Sequence, residues 1–169
     1  MRSDAPRTYI ATMKPYGAEE LAKIDKHRAQ RAGKGFRTIE CYSGLRDVQV
    51  EQGSTVLLEC LGNLLSDECY TEQEGWRDPF AAVERIEAGI DSLASQSGEL
   101  IIITNDVGSD GIDYPYPTDE YVRALGTLNC RVAAKADDVS DFAAGRPIAV
   151  KGARCERASE GASGKGACR

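Results

Sequence analysis

The fold class is decided by Thr55-Val56-Leu57-Leu58-Glu59-Cys60, a short run in which apolar residues follow one another without alternation. A second run, Leu100-Ile101-Ile102-Ile103-Thr104, has the same character. Continuous apolar runs of this length are typical of strands that are buried on both faces of a sheet. Together the two runs predict an α/β fold with a parallel sheet and helices on both faces.

Helices and further strands are predicted around these two runs. Apolar residues at helical spacing, with glycine or proline near the boundaries, indicate four helices. The predicted helices are Ala18–Arg31, Leu61–Cys69, residues 78–95 and residues 118–137, and the other predicted strands are residues 8–12, 37–42 and 147–151. We expect the third helix to turn Phe80, Val83, Ile86, Ile90 and Leu93 inward. Ser140-Asp141 interrupts the strand expected after Val139.

Composition limits the class of protein. The length of 169 residues suits one domain, which we predict over residues 1–152, followed by a disordered tail over residues 153–169 that is nearly devoid of large apolar residues. The net charge of -6 and the lack of a basic run argue against nucleic-acid binding. No apolar run is long enough to span a membrane, and the first residues do not resemble a secretory signal.

The cysteines and the histidine limit the chemistry. The six cysteines form no CxxC pair, and we expect Cys60 and Cys130 to be free thiols of the core. This pattern predicts a reducing compartment, hence a cytoplasmic protein. The single histidine excludes a histidine-rich metal site.

The residues that follow the strands are the first candidates for a functional site, because ligands of parallel sheets bind beyond the carboxyl ends of the strands. Those residues are Thr12, Glu59, Asn105 and Asp106. Glu59 fits a metal-supporting acid and a solvated carboxylate equally well. For Asn105-Asp106, which is followed by Val107-Gly108, the pattern favours an ordinary turn.

His27 is the candidate nucleophile. It lies in the first predicted helix, with Lys23 one turn before it and Arg31 one turn after it. Neighbouring cations favour the neutral imidazole, which is the nucleophilic form, and they suit a phosphate chain. Pattern alone still favours a histidine on a solvated helix face.

The Gly-rich phosphate loop GxxxxGK[ST] does not occur between a strand and a helix in this sequence. Residues 161–166 resemble a fragment of it, but Gly166 stands where Ser or Thr is required and no strand precedes it. We interpret this fragment as a chance match.

Several short segments, taken in order, resemble the bifunctional adenosylcobinamide kinase/adenosylcobinamide-phosphate guanylyltransferase family of cobalamin biosynthesis. The resemblance spans about residues 7–152. The segments that carry it are Tyr9-Ile10-Ala11-Thr12, Lys23-Ile24-Asp25-Lys26-His27-Arg28, Arg37-Thr38-Ile39-Glu40, Leu57-Leu58-Glu59-Cys60, Thr104-Asn105-Asp106-Val107-Gly108 and Leu125-Gly126-Thr127-Leu128-Asn129-Cys130.

The resemblance implies a fold, two reactions and a set of residues. The fold is a RecA-like P-loop NTPase type, here expected to be N-terminally truncated because the family's first strand and its Gly-rich loop precede the matching segments. The reactions are phosphorylation of adenosylcobinamide by ATP or GTP, and transfer of GMP from GTP through a GMP-histidine. The residues implied are His27 as nucleophile, Ala11, Thr12, Met13, Arg28, Ala29, Gln30, Arg31, Glu40 and Glu59 for the nucleotide, and Glu59 for magnesium.

The resemblance also implies a homo-oligomer. The alternative hypothesis is a non-catalytic or incomplete remnant of the family that binds a nucleotide. An unrelated α/β interaction domain is the third hypothesis.

Overall fold

The structure is a computed structural model that describes residues 5–71, 75–109 and 111–152. Within these ranges the strands are β1 (Arg7–Ala11), β2 (Phe36–Glu40), β3 (Thr55–Glu59), β4 (Tyr70–Thr71), β5 (Gly75–Trp76), β6 (Glu99–Ile103), β7 (Val139–Ala143) and β8 (Arg146–Lys151). The helices are α1 (Ala18–Arg31), α2 (Leu61–Cys69), α3 (Pro79–Gln96) and α4 (Thr118–Lys135), with a short 3₁₀ helix at Leu45–Asp47. The tail predicted over residues 153–169 lies outside the described residues.

The central sheet has four parallel strands in the order β2-β1-β3-β6. Its register pairs Ala11 with both Glu40 and Glu59, and pairs Glu59 with Ile103. The last residues of all four strands therefore lie in one row at the same edge of the sheet. The prediction of an α/β fold, with a parallel sheet flanked by helices, is confirmed.

The core lies between this sheet and helices α2 and α3. Val56 and Leu58 of β3 are fully buried, as are Leu64 of α2 and Val83 of α3. The inward stripe predicted for α3 is correct except for Phe80, whose side chain is 44% exposed. Phe80 lies in the first turn, where its amide donates to the Asp78 carboxylate at 2.8 Å, and the buried stripe begins only after it.

Helix α1 has the predicted bounds but contains no buried residue. Leu21 is 47% exposed. Its apolar side chain and that of Ile24 line a cavity instead of the core. Helix α1 therefore covers the functional edge of the sheet rather than adding to the hydrophobic centre of the protein.

The chain divides into two compact units, Met1–Leu128 and Asn129–Arg169. In the second unit β7 and β8 form an antiparallel hairpin. The prediction was that Ser140-Asp141 interrupts an apolar strand; β7 instead continues through both residues as a strand, with a shift of register between Val139 and Ser140. Most of β7 is exposed to solvent, and an exposed strand tolerates polar side chains. The prediction of one domain over residues 1–152 stays a prediction.

Cys130 corrects the expectation of a core thiol, because it is exposed. The buried face of α4 is set by Ala124, Leu125 and Leu128, and a residue two positions beyond Leu128 points away from that face.

No helix in the described ranges is both long and apolar enough to cross a bilayer.

Cys130 is expected to be alkylated at least about ten-fold faster than Cys69 in the folded protein, since the thiolate is the reactive form and needs access. Burial raises the pKa of the Cys69 thiol to about 12. Limited treatment with iodoacetamide, followed by mass spectrometry of the two peptides, measures the ratio. Treatment of the unfolded chain is the control, in which the two rates should converge. Equal rates in the folded protein would contradict the packing of Cys69.

Candidate active site at the carboxyl edge of the sheet

A cavity of about 320 Å³ opens at the carboxyl ends of the parallel strands. Its wall is formed by the last residues of the strands, by the chain that follows β1 and by one face of α1. The lining residues include Ala11, Glu40, Glu59 and Ile103 from the strands, Thr12 and Met13 after β1, and His27, Arg28 and Arg31 from α1. This is the edge at which parallel α/β sheets bind their ligands.

Thr12 joins the ends of β1 and β3. Its buried hydroxyl lies 2.8 Å from the carbonyl oxygen of Glu59 and 2.9 Å from that of Cys60, and it accepts the Cys60 amide at 2.7 Å. The Thr12 amide donates to the Glu59 carbonyl oxygen at 3.1 Å. The hydroxyl of Thr12 is therefore used within the protein, and it fixes the backbone that carries Glu59.

Glu59 is the central anion of the cavity. The hydroxyl of Tyr9 donates to its Oε2, and Nδ1 of His27 lies 3.6 Å from its Oε1. Burial, and then the hydrogen bond to Glu59, raises the pKa of Tyr9 well above its usual range. The phenol therefore remains a donor throughout the neutral pH range.

His27 has a different electrostatic environment from the one that the sequence predicts. Lys23 pairs with Glu19 at 2.7 Å, and the guanidinium carbon of Arg31 lies 3.7 Å from the ring centroid of Tyr9. The charged group next to the imidazole is the Glu59 carboxylate, at the Nδ1 side. A carboxylate at Nδ1 favours the tautomer with its proton on Nδ1, which leaves the lone pair on Nε2.

Glu40 and Arg28 form a second charged pair in the wall of the cavity. Nη2 of Arg28 lies 3.0 Å from Oε1 of Glu40, and the Tyr42 hydroxyl donates to Oε2 at 3.0 Å. Both side chains of the ion pair are about half exposed, so the pair itself contributes little stability.

The chain that follows β1 is anchored by a buried carboxylate. Asp67 of α2 accepts the Tyr16 hydroxyl at 2.8 Å and lies 3.2 Å from Nζ of Lys14. The same Nζ lies 5.8 Å and 6.0 Å from the ring centroids of Tyr16 and Tyr42. These contacts hold the segment that contains Met13 at the mouth of the cavity.

The chain is similar in sequence to known proteins. A model of the family described as cobinamide kinase / cobinamide phosphate guanyltransferase matches residues 1–150. The chain belongs to this family. It is similar to the bifunctional adenosylcobalamin biosynthesis protein CobU of Salmonella typhimurium, at 27% identity over 161 residues that cover 88% of each chain. It is also similar to the corresponding protein CobP of Pseudomonas aeruginosa, at 26% identity over 148 residues, covering 86% of this chain and 82% of the relative.

Membership in the cobinamide kinase / guanyltransferase family confirms the resemblance seen in the sequence, and with it the P-loop NTPase-like fold class. The structure brings together most of the site residues that the resemblance implied. Ala11, Thr12, Met13, His27, Arg28, Arg31, Glu40 and Glu59 line one cavity. Ala29 and Gln30 are exposed on α1 and do not belong to the lining, so their role stays a prediction.

Several lining residues, among them Tyr9, Asn63 and Asn105, were not assigned to the nucleotide site by the sequence or by the family resemblance. Asn105, interpreted as part of a turn, lines the cavity after β6, while Asp106 is not part of the lining. Tyr9 and Asn63 also line it. A tyrosine in an apolar strand and an asparagine in a helix carry no distinctive signal, and only the folded arrangement of β1 and α2 places them here.

Magnesium fits this site only when it is bound together with a nucleotide. The described residues contain no group of three or more His, Cys, Asp or Glu side chains that could hold a metal by themselves. Magnesium bound with a nucleotide needs only one or two carboxylates, because phosphates and water complete its coordination. Glu59, at a strand end inside the cavity, suits that role, and the magnesium site stays a prediction.

Proposed function

We propose that this chain is a guanylyltransferase that moves GMP from GTP to cobinamide phosphate through a covalent GMP-His27 intermediate. The observation that carries the proposal is the position of His27. The only histidine of the chain lies in the wall of the cavity, with a carboxylate at Nδ1, and two arginines of the same helix line the same cavity.

The first step forms one bond and breaks one bond. The Nε2 lone pair of His27 attacks the α-phosphorus of GTP, and the bond from that phosphorus to the oxygen bridging to the β-phosphate breaks. Pyrophosphate leaves with the bonding electrons. The imidazole, which keeps its proton on Nδ1, becomes positively charged, and the Glu59 carboxylate stabilises that charge as it develops.

The second step reverses the chemistry at the histidine. A phosphate oxygen of cobinamide phosphate attacks the same phosphorus, the phosphorus–nitrogen bond breaks, and the electrons return to Nε2. The product is cobinamide joined to GMP through a diphosphate, and His27 is regenerated. Two transfers that share one nucleophile divide a difficult displacement into easier ones.

The charged side chains of the wall suit a triphosphate. Arg28 and Arg31 supply guanidinium groups, which bind phosphate oxygens in a planar, bidentate manner. Magnesium bound with GTP would neutralise charge on the phosphates, and Glu59 would supply a carboxylate to hold it. Phosphorylation of cobinamide with ATP or GTP as donor, and assembly into a homo-oligomer, are predictions that this proposal does not include.

The position of the label in GTP tests the proposal. The purified chain is incubated with magnesium and GTP labelled at either the α- or the γ-phosphate, and then quenched in alkaline detergent. We expect the protein to retain label from the α-position alone, in a form stable to alkali and lost in acid. Added cobinamide phosphate should remove the label and yield a labelled corrinoid.

Two other results of this experiment would contradict the proposal. A folded chain that binds GTP but retains no label would contradict the guanylyltransferase proposal and favour a nucleotide-binding remnant. A chain that binds neither GTP nor cobinamide would favour an unrelated α/β interaction domain. Circular dichroism of the same sample establishes that the chain is folded.

A further inference from the structure

Tyr9 contacts two charged side chains of the candidate site, Glu59 and Arg31. It is a residue of β1 that is only 4% exposed, and it lines the cavity. Its hydroxyl donates to Oε2 of Glu59, and the face of its ring lies 3.7 Å from the guanidinium carbon of Arg31. One buried side chain thus contacts an anion and a cation of the site.

The hydroxyl determines which oxygen of Glu59 faces His27. Because Oε2 is held by Tyr9, Oε1 is the oxygen that lies 3.6 Å from Nδ1 of His27. Without the hydroxyl, the carboxylate would be free to rotate about its last bond, and neither oxygen would be fixed towards the imidazole. Groups that orient a reacting side chain in this way commonly change activity 10–100-fold when they are removed, roughly as seen for ligand-orienting groups in metal sites.

The ring has a separate effect on Arg31. A guanidinium over an aromatic face is attracted by the negative charge of that face, and arginine is the cation that stacks best on a ring. Arg31 is the last residue of α1, where the helix end alone would leave its long side chain many conformations. The ring of Tyr9 limits those conformations to positions beside the cavity.

We infer that Tyr9 is a positioning residue for guanylyl transfer, which orients Glu59 towards His27 with its hydroxyl and holds Arg31 beside the phosphates with its ring. The inference rests on the proposed function. Two variants test the role of the hydroxyl and the role of the ring. Tyr9→Phe removes the hydroxyl and keeps the ring, whereas Tyr9→Leu removes both.

Single-turnover labelling of the protein by α-labelled GTP measures the maximal labelling rate and the half-saturating GTP concentration of each variant. We expect Tyr9→Phe to lower the maximal labelling rate by about ten-fold or more and to change the half-saturating GTP concentration much less than Tyr9→Leu does. Tyr9→Leu should lower the rate similarly and also raise the half-saturating concentration. Tyr121→Phe is the matched control, because that hydroxyl donates to the Gly62 carbonyl oxygen at 3.0 Å and does not line the cavity. It should behave like the parent.

Nitrogen-15 NMR of the imidazole provides a readout that does not depend on labelling. His27 is the only histidine, so an untagged protein gives one pair of ring nitrogen signals. In the parent, at a pH where the ring is neutral, we expect the signature of a proton on Nδ1. In Tyr9→Phe the two nitrogen shifts should move towards each other, as for a mixture of tautomers.

The outcomes separate the inference from the function on which it rests. A Tyr9→Phe variant with the parent's labelling rate and tautomer would overturn the role of the hydroxyl. Equal half-saturating GTP concentrations in the phenylalanine and leucine variants would overturn the role of the ring. If the parent takes no label, the proposed function fails, while the NMR signals and calorimetric GTP binding still show whether Tyr9 orients Glu59 and Arg31.

Discussion

Replacing His27 with asparagine is expected to abolish covalent labelling of the protein by α-labelled GTP, with a loss of at least about 10³-fold in the single-turnover rate. Asparagine has a similar size and polarity but no lone pair on nitrogen that can attack phosphorus. GTP binding should change much less, since the arginines of the wall remain. The rate is measured at saturating GTP with magnesium, and binding is measured by calorimetry.

Lys26→Ala is the matched control for this experiment. Lys26 precedes His27 on the same helix, is exposed and does not line the cavity, so its replacement should keep the parent's labelling rate. Both substitutions should change the free energy of unfolding by less than about 0.5 kcal/mol, because α1 contains no buried residue. Label that persists on the His27→Asn protein would show that another residue is the nucleophile.

The sequence predicts the elements of this fold well because their signals are local. The bounds of α1 and α2 are predicted correctly, since Gly17 and Gly33 flank α1, and the apolar strand that ends at Glu59 precedes α2. Exposed β7 was missed as a continuous strand for the complementary reason. A strand with little burial has no apolar pattern, and only its pairing with β8 reveals it.

The candidate site could be predicted as separate residues but not as an arrangement. His27 and Glu59 are each visible in the sequence, yet the proximity of their side chains depends on how α1 lies over the edge of the sheet. The sequence instead predicts cations around His27, with Lys23 one turn before it and Arg31 one turn after it, because neighbours on a helix are all that a linear pattern can show. The charged neighbour that the structure shows, Glu59, comes from β3 and is an anion.

The second large effect is expected in the core, where Gly89→Ala should destabilise the protein by about 1–3 kcal/mol. A Cβ at Gly89 would lie 2.7 Å from Cβ of Leu45 and 3.0 Å from the carbonyl carbon of Leu45 and the amide nitrogen of Arg46. Two of these three atoms belong to the backbone, so no side-chain rotation relieves the overlap. Either α3 or the 3₁₀ helix must move.

The matched control is Gly126→Ala in α4, which should change stability in the opposite direction. No atom lies within 4 Å of a Cβ at that position, and alanine stabilises an exposed helix interior by about 0.5–1 kcal/mol relative to glycine. Both free energies of unfolding are measured by denaturant titration.

Movement of the 3₁₀ helix would also reach the cavity, and this gives the Gly89→Ala experiment a second readout. The Gly44 amide, directly before that helix, donates to the buried Glu68 carboxylate at 2.8 Å, and Tyr42 lies two residues earlier in the cavity wall. We therefore expect GTP binding to weaken in Gly89→Ala while it stays unchanged in Gly126→Ala. Equal stability of the two variants would contradict the close contact between α3 and Leu45, because helix propensity alone would then govern both sites.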